Sequence, residues 1–260
     1  MSEHVRFPNE ATPLGSSAYY VVRFSRPDIQ DTLATLFAWK QQLEQLKSIN
    51  DPGVARLKLQ WWREQLDNPT PVEHPLLRAL QQIATQHSQC LPLCRQMADA
   101  TDRLLRRLPP DDTSQAWQYF LDFGGSFAEL LDLLVGRESN PAANQYGAWI
   151  QQVESIRNTG FDLRRGICLW PAQDLRRSGL GVESLLREEH TDQVVSLLQT
   201  QMAFADEQIA NLPPVQRKTP LYRYYQLRRS LLRQLQQDNF VVMHQRISLT
   251  PLRKLWRAWW

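Results

Sequence analysis

A chain of 260 residues with 42% hydrophobic side chains and a net charge of +3 can bury one sizeable core, and its ten glycines form no spacer or repeat. Three cysteines without metal-type spacing argue against a disulfide framework and suit a reducing compartment. Met1 to Glu10 is polar and lacks the apolar core of a secretory signal. No run approaches the roughly eighteen uninterrupted apolar residues of a membrane span, so a single cytoplasmic domain over 1–260 is expected.

Periodicity is helical along almost the whole chain. Ile29, Leu33, Leu36, Phe37, Leu43 and Leu46 mark one face of a helix that starts near Pro27, where the missing N–H would be unpaired anyway. Helices also fit residues 51–67, 74–89, 92–107, 114–136 and 141–165. Cys90 and Cys94 flank Pro92 at an expected helix start, a poor arrangement for a metal. Within 114–136, Gly124 and Gly125 each cost about 1 kcal/mol relative to alanine, which points to close approach by a neighbouring backbone or a bound molecule. Val194, Leu198, Met202, Ala205, Ile209 and Leu212 mark a further helix ended by Pro213 and Pro214, and Leu221, Tyr224, Leu231 and Leu235 mark another. No β-type alternation of useful length occurs, so an all-α bundle is predicted.

Within 151–171, QQVESIRNTGFDLRRGICLWP, the polar residues Glu154, Asn158 and Asp162 recur every four positions, with Arg165 close by. On pattern alone this is a solvated helix face. If buried, the row needs ion pairs, hydrogen bonds or a metal.

The same stretch resembles the second aspartate-rich helix of the squalene/phytoene synthase family, through Arg157, Asp162, Arg165, Gly166 and Pro171. Asn158 stands at the first aspartate, Ile167 at the arginine after the glycine, Leu169 at the tyrosine and Glu154 at the family asparagine. Further blocks resemble the family in order: Ser16-Ser17-Ala18-Tyr19-Tyr20 with Phe24, Pro27 and 33-LATLFAWK-40, then Trp61-Trp62-Arg63-Glu64, 119-YFLDFGGSFAELLDLLVG-136 and 240-FVVMHQRISLTPLRKLWRAW-259. The resemblance implies an isoprenoid-synthase-type helical bundle.

The family condenses allylic diphosphates, using magnesium held by two facing aspartate-rich helices. The first of those helices reads 37-FAWKQQLEQLK-47, which places Gln42 and Leu46 at the aspartate positions. Lys40 and Glu44 then read as a surface i, i+4 pair, unless a shift of register turns Glu44 inward as a surrogate ligand. The resemblance implies metal candidates at Asp162, Glu154 and Asn158. It further implies diphosphate-binding candidates at Arg165, Arg164, Arg23 and Ser17, and cavity candidates at Tyr20, Phe37, Gly124, Gly125 and Phe127. Magnesium is a possible cofactor if diphosphate binding is retained.

No other catalytic pattern competes: G-x-S-x-G, Walker and H-E-x-x-H motifs are missing, and His4, His74, His87, His190 and His244 are scattered singly. From Asn211 to Trp260 ten Lys/Arg face one acid, Asp238, so this part carries +9 and the remainder −6. It contains no nucleic-acid reading module, and no nucleic-acid partner is expected. In the tail at 249–260, Arg253, Lys254 and Arg257 interleave with Trp256, Trp259 and Trp260, a composition suited to membrane contact. An alternative is that Trp256 packs on the bundle.

The expectation is therefore a divergent family member, similar to the branch that includes mitochondrial complex I assembly factors. It would bind a prenyl lipid or act in assembly at the inner membrane surface, without head-to-head synthase activity. The alternatives are a prenyl-diphosphate transferase with a reduced metal set of Asp162, Glu154 and Glu44, and a scaffold whose cavity has filled with side chains. No protein partner is identified.

Overall fold

In a computed structural model the residues described are 6–68, 73–137, 140–182, 185, 187 and 192–259. Helix α1 spans Ser17–Arg23, and a 3₁₀ turn at Pro27–Ile29 leads into α2 at Gln30–Leu46. There follow α3 (Pro52–Asp67), α4 (Pro75–Ala84), α5 (Cys90–Leu105), α6 (Thr113–Phe120), a π-helical turn (Leu121–Gly125) and α7 (Ser126–Leu133). The second half holds α8 (Pro141–Arg157), α9 (Thr159–Leu163), α10 (Ala172–Arg177), α11 (Asp192–Ile209), α12 (Pro220–Gln237) and α13 (Pro251–Trp259).

The starts follow from local chemistry. Asp51, Asn140 and Thr219 each accept a hydrogen bond from an orphan N–H of the first turn, and each is followed by a proline that has no N–H to leave unpaired. The helices enclose one continuous apolar core, with α8 at its centre: the π turn, α7, α11 and α12 all pack on it.

Gly124 and Gly125 belong to that packing. A Cβ on Gly124 would collide with the carbonyl oxygen of Gly147, and one on Gly125 would lie 2.7 Å from Asn144 Cγ. Of the two candidates for the close approach, the structure shows the neighbouring helix backbone, and neither glycine lines the cavity described below. Gly147→Ala is accordingly expected to cost about 1–3 kcal/mol, because its Cβ would strike the Gly124 carbonyl and lie 2.6 Å from Ala128 Cβ. A melting temperature equal to the parent's would show that α8 and the π turn separate freely.

The helix predicted over 141–165 is kinked at Asn158 (φ −93°, ψ 3°). There the side-chain oxygen accepts from Arg246 Nε at 3.0 Å and, more weakly, from Arg157 Nε at 3.4 Å. Gly160 then passes so close to Met243 that a Cβ would overlap its carbonyl. Cys90, Cys94 and Cys168 are buried free thiols. No helix among the described residues is long and apolar enough to cross a membrane.

Candidate functional site

A cavity of about 490 Å³ opens where α1, α2, α8, α12, the 246–248 segment and α13 converge. Five cationic side chains line it, Lys40, Arg157, Arg228, Arg246 and Lys254, against three carboxylates, Glu10, Glu44 and Glu154. Ser17, Asn158, Phe37 and Tyr224 also reach the wall. Its floor is aromatic: Phe37 meets Phe127 and Tyr224 edge-on, with ring centres 5.1 and 5.7 Å apart. Lys40 Nζ lies 5.8 Å from the Phe127 ring centre and 5.2 Å from that of Phe123.

Glu154 holds the charged network together. It is 5% exposed and forms ion pairs with Arg157 and with Arg228, which is itself 5% exposed. Burial alone would raise its pKa, yet the fields of Arg157, Arg228, Lys40 and Arg246 outweigh burial and bring it down to about 2. Arg228 Nη1 donates to Ser17 Oγ at 3.0 Å, while its Nε is buried without a hydrogen-bond acceptor. On α2, Lys40 pairs with Glu44, and despite burial its pKa is raised by Glu44, Tyr224 and Glu154.

This changes the reading of the first acidic helix. Lys40 is buried and Glu44 lines the cavity, so the pair does not lie on the surface. Leu46 sits in the core, and Gln42 faces a separate small hollow beside His74 and Leu76. Glu44 keeps its i, i+4 pairing with Lys40 while lining the cavity.

The row on the second acidic helix is divided by the Asn158 kink. Glu154 and Asn158 face the cavity, whereas Asp162 accepts from Lys47 Nζ at 3.4 Å and does not line the wall. Burial raises the Asp162 pKa, opposed by Lys47. Of the anion-binding candidates only Ser17 is on the cavity. Arg165 stacks on Phe161 with 3.5 Å between its guanidinium carbon and the ring centre, Arg164 donates to the Met243 carbonyl at 2.9 Å, and Arg23 is exposed at the end of α1. Tyr20 is buried beside Phe24 and is not on the wall, and Phe127 lies behind Phe37.

Sequence reasoning passed over Lys40, Arg228, Arg246, Lys254 and Tyr224 as cavity residues. A signal was present for two of them. Lys40 falls on the apolar stripe of Leu33, Leu36, Phe37 and Leu43, and Arg228 falls between Tyr224 and Leu231 on the stripe of α12, where a charge at an inward position must have a partner. Arg246 and Lys254 lie in or near the closing block, and nothing in their immediate sequence points inward.

At the tail, Trp256 and Trp259 are 60% and 63% exposed, and Leu252 and Leu255 are exposed beside them. Trp259 also touches Phe24 edge-on at 5.3 Å. Trp260 lies outside the described residues. The helix turns Lys254 and Ala258 inward and keeps its apolar face outward.

The profile of the squalene/phytoene synthase family matches residues 12–253. The chain belongs to this family. Among solved structures it is similar to a dehydrosqualene synthase in complex with ligand, with a TM-score of 0.77 at 16% identity, covering 93% of this chain and 89% of that one. It is also similar to squalene synthase HpnC from Alicyclobacillus acidocaldarius (TM-score 0.69, 16% identity, 85% and 88% covered). YisP from Bacillus subtilis subsp. subtilis strain 168 gives 0.66 at 14% identity, with 93% and 89% covered. No curated protein sequence matches. At these identities the likeness establishes the fold, an isoprenoid-synthase-like all-α bundle.

Magnesium prefers carboxylate, phosphate and water oxygens. Here Glu44, Glu154 and Asp162 are each paired with a lysine or with arginines, and no group of three His, Cys, Asp or Glu among the described residues is arranged to hold a metal. The donor set does not fit a magnesium cluster of the family kind.

Proposed function

We propose that this family member holds a prenyl lipid, or its diphosphate, at an anionic membrane surface in a binding or assembly role, without head-to-head synthase activity. One observation carries the reading: the acids that would gather metal ions are engaged by Lys40, Lys47, Arg157 and Arg228. Ionising an allylic C–O bond develops charge on the leaving diphosphate, and the ion-paired carboxylates leave no cluster to recruit the divalent cations that neutralise it. The aromatic floor of Phe37 and Tyr224 suits the apolar chain of a lipid, with its headgroup among the cations of the wall. The exposed apolar face of α13 suits a peripheral location at a membrane surface.

The transferase alternative has one observation in its favour, the position of Glu44 on the cavity wall opposite cationic groups. Of its other two ligands, Glu154 lines the same cavity but is held by Arg157 and Arg228, and Asp162 is turned to Lys47. Purified protein with magnesium and farnesyl diphosphate is expected to release no diphosphate above the uncatalysed rate. Enzyme-dependent formation of squalene or presqualene diphosphate would overturn the proposal in favour of the transferase.

A further inference from the structure

The mismatch between the acids and a metal cluster has a positive side, which rests on the membership and non-synthase reading above. We infer that the cavity is a magnesium-independent site for a phosphate or diphosphate monoester, whose charge is met by Arg228, Arg246 and Lys254 in place of metal ions.

Three observations support this. The wall carries two more cations than carboxylates, a surplus suited to a dianion. Arg228 is 95% buried, and its Nε is an unpartnered donor on a side chain that lines the cavity. A buried donor without an acceptor is costly, so this guanidinium keeps hydrogen-bonding capacity that its protein partners leave unused. Arg246 donates its Nε to Asn158 at 3.0 Å, and Lys254 donates to the Gly15 carbonyl at 3.1 Å. These two approach the same space from the 246–248 segment and from α13. Burial together with the fields of Arg228, Arg157 and Arg246 lowers the Lys254 pKa against the opposing field of Glu154, as expected where cations outnumber acids.

Glu154 fixes the guanidinium of Arg228, and Lys40 neutralises Glu44, so these two carboxylates repel an incoming anion less than bare acids would. Another cavity of about 500 Å³, near Asp132, Arg137 and Tyr146, offers one acid and one base among its described residues and lacks such a surplus. Since Lys254 belongs to α13, an anion held here would also tie the tail helix to the bundle.

The test is calorimetric titration of the full chain with inorganic diphosphate and, separately, farnesyl diphosphate, each in EDTA and in excess magnesium. Binding in EDTA at least as tight as in magnesium is expected. Arg246→Gln combined with Lys254→Gln should weaken it by at least about tenfold with an unchanged far-UV spectrum, because each side chain is at least partly exposed and each lost charge-assisted bond is worth more than about 1.4 kcal/mol. Hydrogen exchange of the α13 amides should slow when diphosphate is added to the parent. Tighter binding of farnesyl diphosphate than of inorganic diphosphate would assign the anion to a lipid headgroup, and equal binding to a free phosphate compound. A requirement for magnesium, no binding in either condition, or full affinity in the double variant would overturn the inference. Such a failure without turnover leaves the non-synthase reading intact, whereas turnover with metal-free binding removes only that reading.

Discussion

Replacing Glu154 by glutamine is expected to lower the melting temperature by about 10 °C, through a loss of about 3–5 kcal/mol. The substitution keeps the shape of the side chain and removes the one charge shared by Arg157 and Arg228. Two guanidinium groups would then face each other with Lys40 close enough to add its field, and Arg228 has almost no access to solvent. The carboxyl of Glu154 titrates near 2 in the folded chain against an ordinary value of 4.5. Its contribution is therefore complete above about pH 4.5 and is lost as the pH falls towards about 2. The gap between parent and Glu154→Gln should be widest near neutrality and narrow below about pH 4. Thermal unfolding across that range measures it, and a gap that is small at pH 7 or that grows in acid would show that the ion pairs do not organise the site. Added inorganic diphosphate should restore part of the lost stability to the variant, since ligand binding to the folded form stabilises it by mass action.

Most helices were readable because their signals are local. The apolar stripe of α2, the Pro213-Pro214 stop and the helix-starting prolines need no knowledge of tertiary contacts. The site was less readable, for a physical reason that Lys40 illustrates. Its spacing from Glu44 is the same whether the pair faces water or the core, so an i, i+4 rule identifies the partner and leaves the environment open. The neighbours Leu36, Phe37 and Leu43 settle the direction, and they are visible in the sequence. Asp162 shows the opposite case. An unbroken helix would have kept it in line with Glu154 and Asn158, but the helix is kinked at Asn158, whose side chain accepts from Arg246, 88 residues further on. Lys254 meets Gly15 across 239 residues. Contacts of that separation leave no periodic trace, and the family resemblance pointed to Arg164 and Arg165, which the structure directs to Met243 and Phe161.

Leu252→Ser combined with Trp256→Ser is expected to reduce co-sedimentation with anionic vesicles by at least about tenfold. In the folded chain both side chains are largely exposed, and they lie four residues apart on the outward face of α13. Fully burying a side chain of the leucine class is worth about 1.5–3 kcal/mol, so even partial insertion of the two can account for a tenfold effect. Arg253 and Arg257 flank that face, and each cation near an anionic surface adds about 1 kcal/mol, screened over about 8 Å at physiological salt. Parent binding should therefore weaken with added salt and with neutral lipid. The paired change Trp259→Ser with Trp260→Ser also probes the tail, but Trp259 packs against Phe24, so its removal mixes folding with membrane contact. The change at Leu252 and Trp256 leaves the contact of Trp259 with Phe24 in place, while Lys254 and Ala258 hold the helix to the bundle. If this variant sediments with anionic vesicles as well as the parent, the outward face of α13 does not enter the bilayer and the membrane location proposed for the protein falls with it.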